Sequence, residues 1–232
     1  MQQHHDEPQV IKLNTQFLFL KNFTYIIFNA ISKEAVIVDP AWKIDKIEQM
    51  LRSKGATLRG ILVTHTHLDH VHLVKPLEKK YHCPVWLSLK EYENSSFRCR
   101  SLQVLENEQP FFCGSIKVKP LLTPGHTPGS MCYLIGNSLF TGDTLFTEGC
   151  GICTDAMANP HDMFFSLQRL KASIHLDTRI YPGHSFGKIP GKIFAEVMEH
   201  NLYLSFEKEE NFVAFRMRKG QKNLFNFQWG SE

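Results

Sequence analysis

The amino-acid sequence predicts an α/β (α+β) fold in which mixed, mainly antiparallel sheets carry outer helices. Three observations lead there. Short apolar runs rich in β-branched and aromatic residues recur along the chain, segments between them place apolar residues at helical spacing, and polar, metal-competent side chains follow the β-runs directly. At 232 residues and 43% hydrophobic content, the chain suits one substantial core better than two ordinary domains. One domain over residues 1–232 is expected, with residues 188–232 as a short helical extension.

Composition narrows the functional classes. An aromatic share of 12%, dominated by 18 Phe, favours β structure and a filled interior. The formal charge of +3 is too mild to indicate a nucleic-acid partner. Six scattered cysteines and a polar Met1–Gln9 stretch without an apolar h-region suit a reducing, cytoplasmic setting. The Phe17–Ile31 segment is broken by Lys21, Asn22, Thr24 and Asn29, so it falls short of the roughly 18 apolar residues of a membrane helix. Neither nucleic acid nor membrane is expected as a partner, and oligomeric state is not legible.

In chain order, Phe17–Leu20, Phe23–Phe28 and Ala35–Val38 predict an antiparallel meander, the first two runs being split by Lys21 and Asn22 and the third ended by Asp39 and Pro40. Ile44, Ile47, Met50 and Leu51 then repeat at helical spacing up to Gly55, a suitable residue to follow a helix. Leu58–Val63 is a buried strand, Leu73, Leu77 and Tyr81 mark a helix, and Pro84–Leu87 is another strand. Asn94–Glu108 has no clear period. Ile116 and Val118 alternate into a strand that ends at the turn-rich T-P-G-H-T-P-G-S, Thr123–Ser130. Met131–Ile135 and Leu139–Thr141 flank Gly136 and Asn137 as a hairpin. Phe164, Leu167, Leu170, Lys171 and Ile174 define a helix capped by Asn159 or Asp162, and Arg179–Tyr181 is a strand. Helices follow over Ile193–Leu204 and Phe206–Arg218, past a possible boundary at Gly187–Gly191.

The chemistry concentrates at Ile61–His72, I-L-V-T-H-T-H-L-D-H-V-H. His65 and His67 stand two apart, which after a strand puts both imidazoles on one side of the backbone. Asp69 and His70 follow at once. Four N/O donors in six residues exceed what one tetrahedral ion takes from so short a segment, so distant partners are expected. His126, Asp143 and His184 each follow a β-run and are the candidates. Taken singly, Asp69 could cap a helix, His126 could bond within a turn and Asp143 could fix a loop; their joint occurrence in order favours a metal site.

These motifs resemble the metallo-β-lactamase-fold hydrolases. T-H-T-H-L-D-H matches the family's HxHxDH, His126 in T-P-G-H-T its third histidine, Asp143 in F-T-G-D-T its bridging aspartate, and His184 in Y-P-G-H its last histidine. The resemblance runs over nearly the whole chain and implies a four-layer αββα sandwich. It implies two Zn²⁺ (with Fe or Mn possible), one on His65, His67 and His126, the other on Asp69, His70 and His184, with Asp143 bridging. A metal-bound hydroxide would be the nucleophile, and Asp69 and Asp143 would be the catalytic carboxylates. His72 is read as exposed or hydrogen-bonded rather than as a ligand. Cys150 and Cys153, a lone C-x-x-C pair, read as structural or pocket-lining thiols.

Within the family the chain is most similar to glyoxalase II-like thioester hydrolases, in particular the zinc-dependent hydrolases of bacterial polyketide (antibiotic) biosynthesis. Phe140–Cys153, Ser166–Leu170, Tyr181–Gly187 and Phe215–Lys219 carry that likeness. It implies hydrolysis of a small acyl thioester held on an acyl carrier protein. Lys188, Lys192, Arg216, Arg218, Lys219 and Lys222 could then meet a phosphopantetheine phosphate or an acidic carrier surface, or form a solvated basic end. The alternatives are a hydroxyacylglutathione hydrolase of the glyoxalase II type and, outside the enzymes, a silent zinc- or carrier-binding module. A β-lactamase, a ribonuclease and a mononuclear iron dioxygenase fit less well.

Overall fold

Alternation within consecutive strands decides the layering. In the computed structural model, which describes residues 7–17 and 20–219, β1 (Gln9–Phe17), β2 (Leu20–Asn29) and β3 (Glu34–Val38) form the antiparallel meander. Tyr25, Ile27, Val36 and Val38 enter one core, while Ile26, Phe28, Ala35 and Ile37 enter another on the opposite face. α1 (Ile44–Lys54) ends at Gly55, whose φ of 59° is the left-handed conformation that glycine adopts without strain. β4 (Thr57–Leu62), α2 (Leu68–Val71), α3 (Val74–Tyr81), β5 (Val85–Ser88), α4 (Leu89–Asn94) and β6 (Leu102–Leu105) complete the first half. The first sheet has the order β1-β2-β3-β4-β5-β6, parallel from β3 onward.

The second half supplies β7 (Phe111–Cys113), β8 (Ile116–Leu122), β9 (Met131–Ile135), β10 (Ser138–Gly142), α5 (Pro160–Ser173), β11 (Arg179–Pro182), β12 (Lys192–Ile193), α6 (Phe194–His200) and α7 (Glu209–Arg216). Its sheet runs β12-β11-β10-β9-β8-β7 and is antiparallel except between β10 and β11. Tyr25, Val38 and Leu62 of the first sheet meet Val118, Tyr133 and Phe140 of the second. Burying each such side chain contributes about 1.5–3 kcal/mol. Behind the first sheet lie residues of α1, α2 and α3, and behind the second those of α5, α6 and α7. Helix, sheet, sheet and helix make the four-layer αββα sandwich.

Several elements differ from the sequence reading. β1 is an edge strand with one face in solvent, so Lys12, Asn14 and Gln16 dilute its apolar signal. Lys21 and Asn22 lie inside β2 rather than between two strands. Residues 18 and 19 of the Phe17–Leu20 run, together with His4, His5 and Lys222, lie outside the described residues. The unperiodic Asn94–Glu108 segment contains only the last residue of α4 and the short β6.

Within the basic end, the surface reading is corrected for Arg216 alone. Arg216 is buried, and its Nη1 donates to Tyr203 Oη at 2.9 Å. Lys188 and Lys192 both pair with Glu196, at 3.1 and 3.0 Å. Arg218 stacks over Phe215, its guanidinium carbon 3.7 Å from the ring centre. Among the described residues no helix is long and apolar enough to cross a membrane.

Of the two cap candidates for α5, Asn159 is the one used, its Oδ1 accepting from the backbone N–H of His161 at 2.9 Å and of Asp162 at 3.4 Å. Asn159→Ala should destabilise the protein by about 1 kcal/mol and Asn159→Gly by only a few tenths. Urea unfolding with an unchanged m-value checks this, and no difference between the two variants would contradict it.

Candidate metal centre

Both sheets deliver polar residues to one edge. β3 ends at Asp39, β4 leads through Thr64 to His65 and His67, and α2 carries Asp69 and His70. From the second sheet, β8 leads to His126, β10 to Asp143 and β11 to His184. Backbone bonds stitch these exits together: Met131 N donates to Thr64 O at 2.9 Å, Gly183 N to Gly142 O at 2.8 Å, and Phe23 N to Gly183 O at 2.8 Å. Gly183 is required by close approach. A Cβ there would stand 2.5 Å from His70 Cε1 and 2.6 Å from Asp143 Oδ1.

All seven sequence-predicted residues converge. His67 Nδ1 lies 3.1 Å from His65 Nε2 and 3.0 Å from His126 Nε2. His184 Nε2 lies 3.3 Å from both His70 Nε2 and Asp69 Oδ2. Asp143 stands between the two groups, with Oδ1 3.4 Å from His70 Nε2 and Oδ2 3.6 Å from His126 Nε2 and 3.3 Å from His184 Nε2. His65, His67 and His126 form one set whose ligand atoms all lie within 4.8 Å of one another; Asp69, His70 and His184 form another.

The outer nitrogens fix where the protons sit. His126 Nδ1 donates to Ile152 O and His184 Nδ1 to Lys21 O, both at 2.8 Å, and a carbonyl can only accept. His70 Nδ1 donates to Asp39 Oδ2 at 2.9 Å. In the neutral rings each Nε2 therefore presents a lone pair to the cluster. Asp143 Oδ1 is buried without a hydrogen-bond partner. Converging imidazole nitrogens and an unsatisfied carboxylate oxygen fit divalent metal, and neutral imidazole with carboxylate suits Zn²⁺.

Sequence reasoning missed the supports. Asp39 read only as a strand end, yet its carboxylate also accepts from Thr64 N and Oγ1 at 2.8 and 2.6 Å. Asn22 read as an interruption, yet its Nδ2 donates to Asp69 O and Oδ2 at 2.9 and 3.0 Å, while its Oδ1 accepts from Trp42 Nε1. Buried Glu91 accepts from Thr66 N and Oγ1 through Oε1, both at 2.7 Å, and from Thr127 Oγ1 through Oε2 at 2.6 Å. It thereby ties the His65–His67 loop to the His126 loop. A lone acid has no spacing signature; only D-P after a strand hinted at Asp39.

The remaining candidates stay outside the cluster. His72 is exposed, its ring 4.7 Å from that of Trp42. Cys150 and Cys153 are buried free thiols in the core beneath α5 and α7; burial pushes both thiols up, Cys153 to about 11. His82, His161, His175 and His200 are exposed, His161 pairing with Glu209 at 2.6 Å.

Burial alone would lower His70, but Asp143, Asp39 and Asp69 outweigh it and hold the imidazole at about 9. His184 is raised in the same sense, against burial, chiefly by Asp143. His65 and His67 are lowered, by burial first and then by neighbouring imidazoles. Asp69 and Asp143 stay well below the usual carboxylate range despite burial, Asp69 through His70 and His184, Asp143 through His184 and His70.

At pH 7 a metal reaching His70 Nε2 must therefore displace a proton. Metal uptake by the metal-free protein should release protons at pH 7 and tighten as pH rises towards about 9. Calorimetry in buffers of different ionisation enthalpy checks this, and a buffer-independent heat would contradict it. Asp39→Asn should weaken metal affinity roughly 10–100-fold in chelator competition; unchanged affinity would show that the Asp39–His70 bond does not matter.

Residues 19–184 match the family described as the metallo-beta-lactamase superfamily. A Bacillus velezensis protein, "Probable polyketide biosynthesis zinc-dependent hydrolase BaeB", is 48% identical over 95% of this chain and 98% of its own length. A Bacillus subtilis protein of the same description, PksB, is 45% identical over the same shares. A "Hydroxyacylglutathione hydrolase" of Pelagibacter ubique is 33% identical over 72% of this chain and 68% of its own. Among solved structures, ETHE1 from Myxococcus xanthus superposes with a TM-score of 0.80 at 27% identity, covering 90% of this chain and 89% of that one. The fold, the converging motifs and these matches agree: the chain belongs to the metallo-beta-lactamase superfamily.

Proposed function

We propose that this protein is a dinuclear, zinc-dependent hydrolase of acyl thioesters in polyketide biosynthesis, releasing acyl groups from acyl carrier protein. One observation carries the reading: the complete His/Asp donor set occurs in a chain aligned over 95% of its length with two relatives named as zinc-dependent hydrolases of polyketide biosynthesis. His65, His67 and His126 would hold one ion, Asp69, His70 and His184 the other, and Asp143 would contact both. Zinc bound there supplies a Lewis acid for the carbonyl and lowers the pKa of water towards about 7.

The protein's own residues position and insulate this chemistry. Asp39 and the carbonyls of Lys21 and Ile152 hold three imidazoles in one orientation. Asn22 fixes Asp69 Oδ2, and Glu91 locks the two loops. A cavity of about 520 Å³ reaches the cluster at His67 and His126, with Leu68, Phe97 and Met157 among its walls. That size suits a small acyl group and its arm. A thiol leaves readily, its ordinary pKa being near 8.5, so no strong general acid is required.

The hydroxyacylglutathione hydrolase relatives support a second reading, in which the thiol is glutathione. The metal-loaded protein should be assayed against acyl-carrier-protein, acyl-CoA and acyl-glutathione thioesters beside a β-lactam and an RNA. Carrier-bound acyl groups should give the highest kcat/KM, chelation should abolish turnover, and Asp143→Asn should lower it by at least about 100-fold, more than loss of a ligand's partner. A preference for acyl-glutathione would select the second reading. Inertness of the fully metallated protein towards every thioester would favour the silent module.

A further inference from the structure

Lys75, Lys79 and His82 recur at i, i+4 and i+7 along α3 and its C-terminal cap, so they share one exposed face. The segment between α4 and β6 brings Arg98 and Arg100 against that face, and the five line a cavity of about 590 Å³. Glu78 is also in its wall, but it is buried and accepts from the backbone N–H of Ser101. The wall is net positive.

Among the described residues, none of Lys75, Lys79, Arg98 and Arg100 is in an ion pair. Some cations elsewhere are matched, Arg59 by Glu34, Lys80 by Glu48, Arg169 by Glu108, and Lys188 and Lys192 by Glu196, while single lysines such as Lys43 and Lys117 stand on the surface outside any ion pair among the described residues. Arg98 is held in place by Nη1 bonds to Ser95 O and Phe97 O, at 2.8 and 2.7 Å, and by stacking over Tyr92. Four clustered cations against the single carboxylate of Glu78 leave an excess of positive charge, and a bound anion relieves their repulsion.

Lys75 also lines the neighbouring cavity, the one that reaches His67 and His126. Its Nζ stands 5.8 Å from the centre of the Phe97 ring, at the join between the two cavities. Asn94, Ser95 and Ser96 line the connecting wall, and Ser95 Oγ is buried without a partner. From the cluster outward there follow apolar side chains, amide and hydroxyl groups, and then cations.

We propose that the basic cavity binds the phosphate of a phosphopantetheine thioester, with the arm along Asn94–Phe97 and the acyl carbonyl at the cluster. This rests on the thioester reading above and adds the handle by which the substrate is recognised. It places that handle on α3 and the Arg98–Arg100 segment, not on the C-terminal basic run. A phosphate on the pantetheine arm is common to acyl-carrier-protein, as a phosphodiester, and to acyl-CoA, as part of a diphosphate.

The test compares S-acyl phosphopantetheine with S-acyl pantetheine on the metal-loaded protein. Wild type should prefer the phosphorylated substrate by about tenfold or more in kcat/KM, carried by KM. Lys75→Glu with Lys79→Glu should erase the preference, whereas Arg218→Glu with Lys219→Glu should keep it. Equal kcat/KM for both substrates in wild type, or loss of preference only in the Arg218 and Lys219 variant, would overturn the assignment. Equal losses on acyl-CoA and carrier-bound acyl groups in the Lys75 and Lys79 variant support phosphate recognition; a loss confined to the carrier would overturn it. Calorimetry with the inert S-methyl thioether of phosphopantetheine separates the two claims. Lys75-dependent binding without hydrolysis of any thioester would sink the proposed function and keep this site, while hydrolysis indifferent to phosphate would do the reverse.

Discussion

The buried carboxylate of Asp39 is where the fold and the cluster become one object. It closes β3 in a left-handed backbone conformation, φ 49°, which Asp tolerates better than most residues. One oxygen accepts from Thr64 N, where β4 ends, and the other accepts from Thr64 Oγ1 and His70 Nδ1. Two parallel neighbouring strands are thus locked at the point where the histidine loop departs. The same carboxylate fixes the tautomer and angle of one imidazole. Deep burial strengthens these bonds and makes any unpaired member costly, so the three groups hold together or fail together.

Comparable supports surround the other donors, each coming from a different layer. Lys21 O and Asn22 belong to β2, Ile152 O to the loop after β10, and Glu91 to α4. The inter-sheet core keeps these elements in register: Tyr133 Oη donates to Val63 O at 2.9 Å, and Tyr25 Oη to Pro182 O at 2.6 Å, each just before a histidine segment. Packing precision is therefore passed to the site through tyrosines anchored in the sandwich. A site assembled from loops acquires rigidity from the strands that launch them.

Legibility in the sequence followed the range of the interactions. α1, α5, β4 and the β9–β10 hairpin were readable because their signals are local: an apolar period, a cap, a Gly-Asn turn. The seven donors were readable because strand exits place them in short motifs. β1 escaped because an edge strand shows only half a pattern. Asp39, Asn22 and Glu91 escaped because their partners lie 20 to 47 positions away, and a single acid or amide carries no period. Arg216 misled for the same reason: a cation in a charged run reads as surface until the Tyr203 hydroxyl and the buried thiols around it are seen.

The Asn94–Glu108 stretch, unreadable by periodicity, lies in the wall of both cavities beside α3. Its irregularity has a physical sense. A strand or helix presents side chains at fixed intervals, whereas an extended loop can turn Ser95 and Phe97 into one cavity and Arg98 and Arg100 into the next. α3 supplies the rigid counterpart, holding Lys75 and Lys79 one turn apart. A substrate entering along this seam would meet charge first, then hydrogen-bonding groups, and reach the carboxylates and imidazoles last. On the proposed thioester reading, such an order would favour a long, polar, anionic arm over a compact molecule, because a long arm would occupy the basic cavity and the cluster together. Specificity would then reside in the span between two sites, and the acyl group itself could vary.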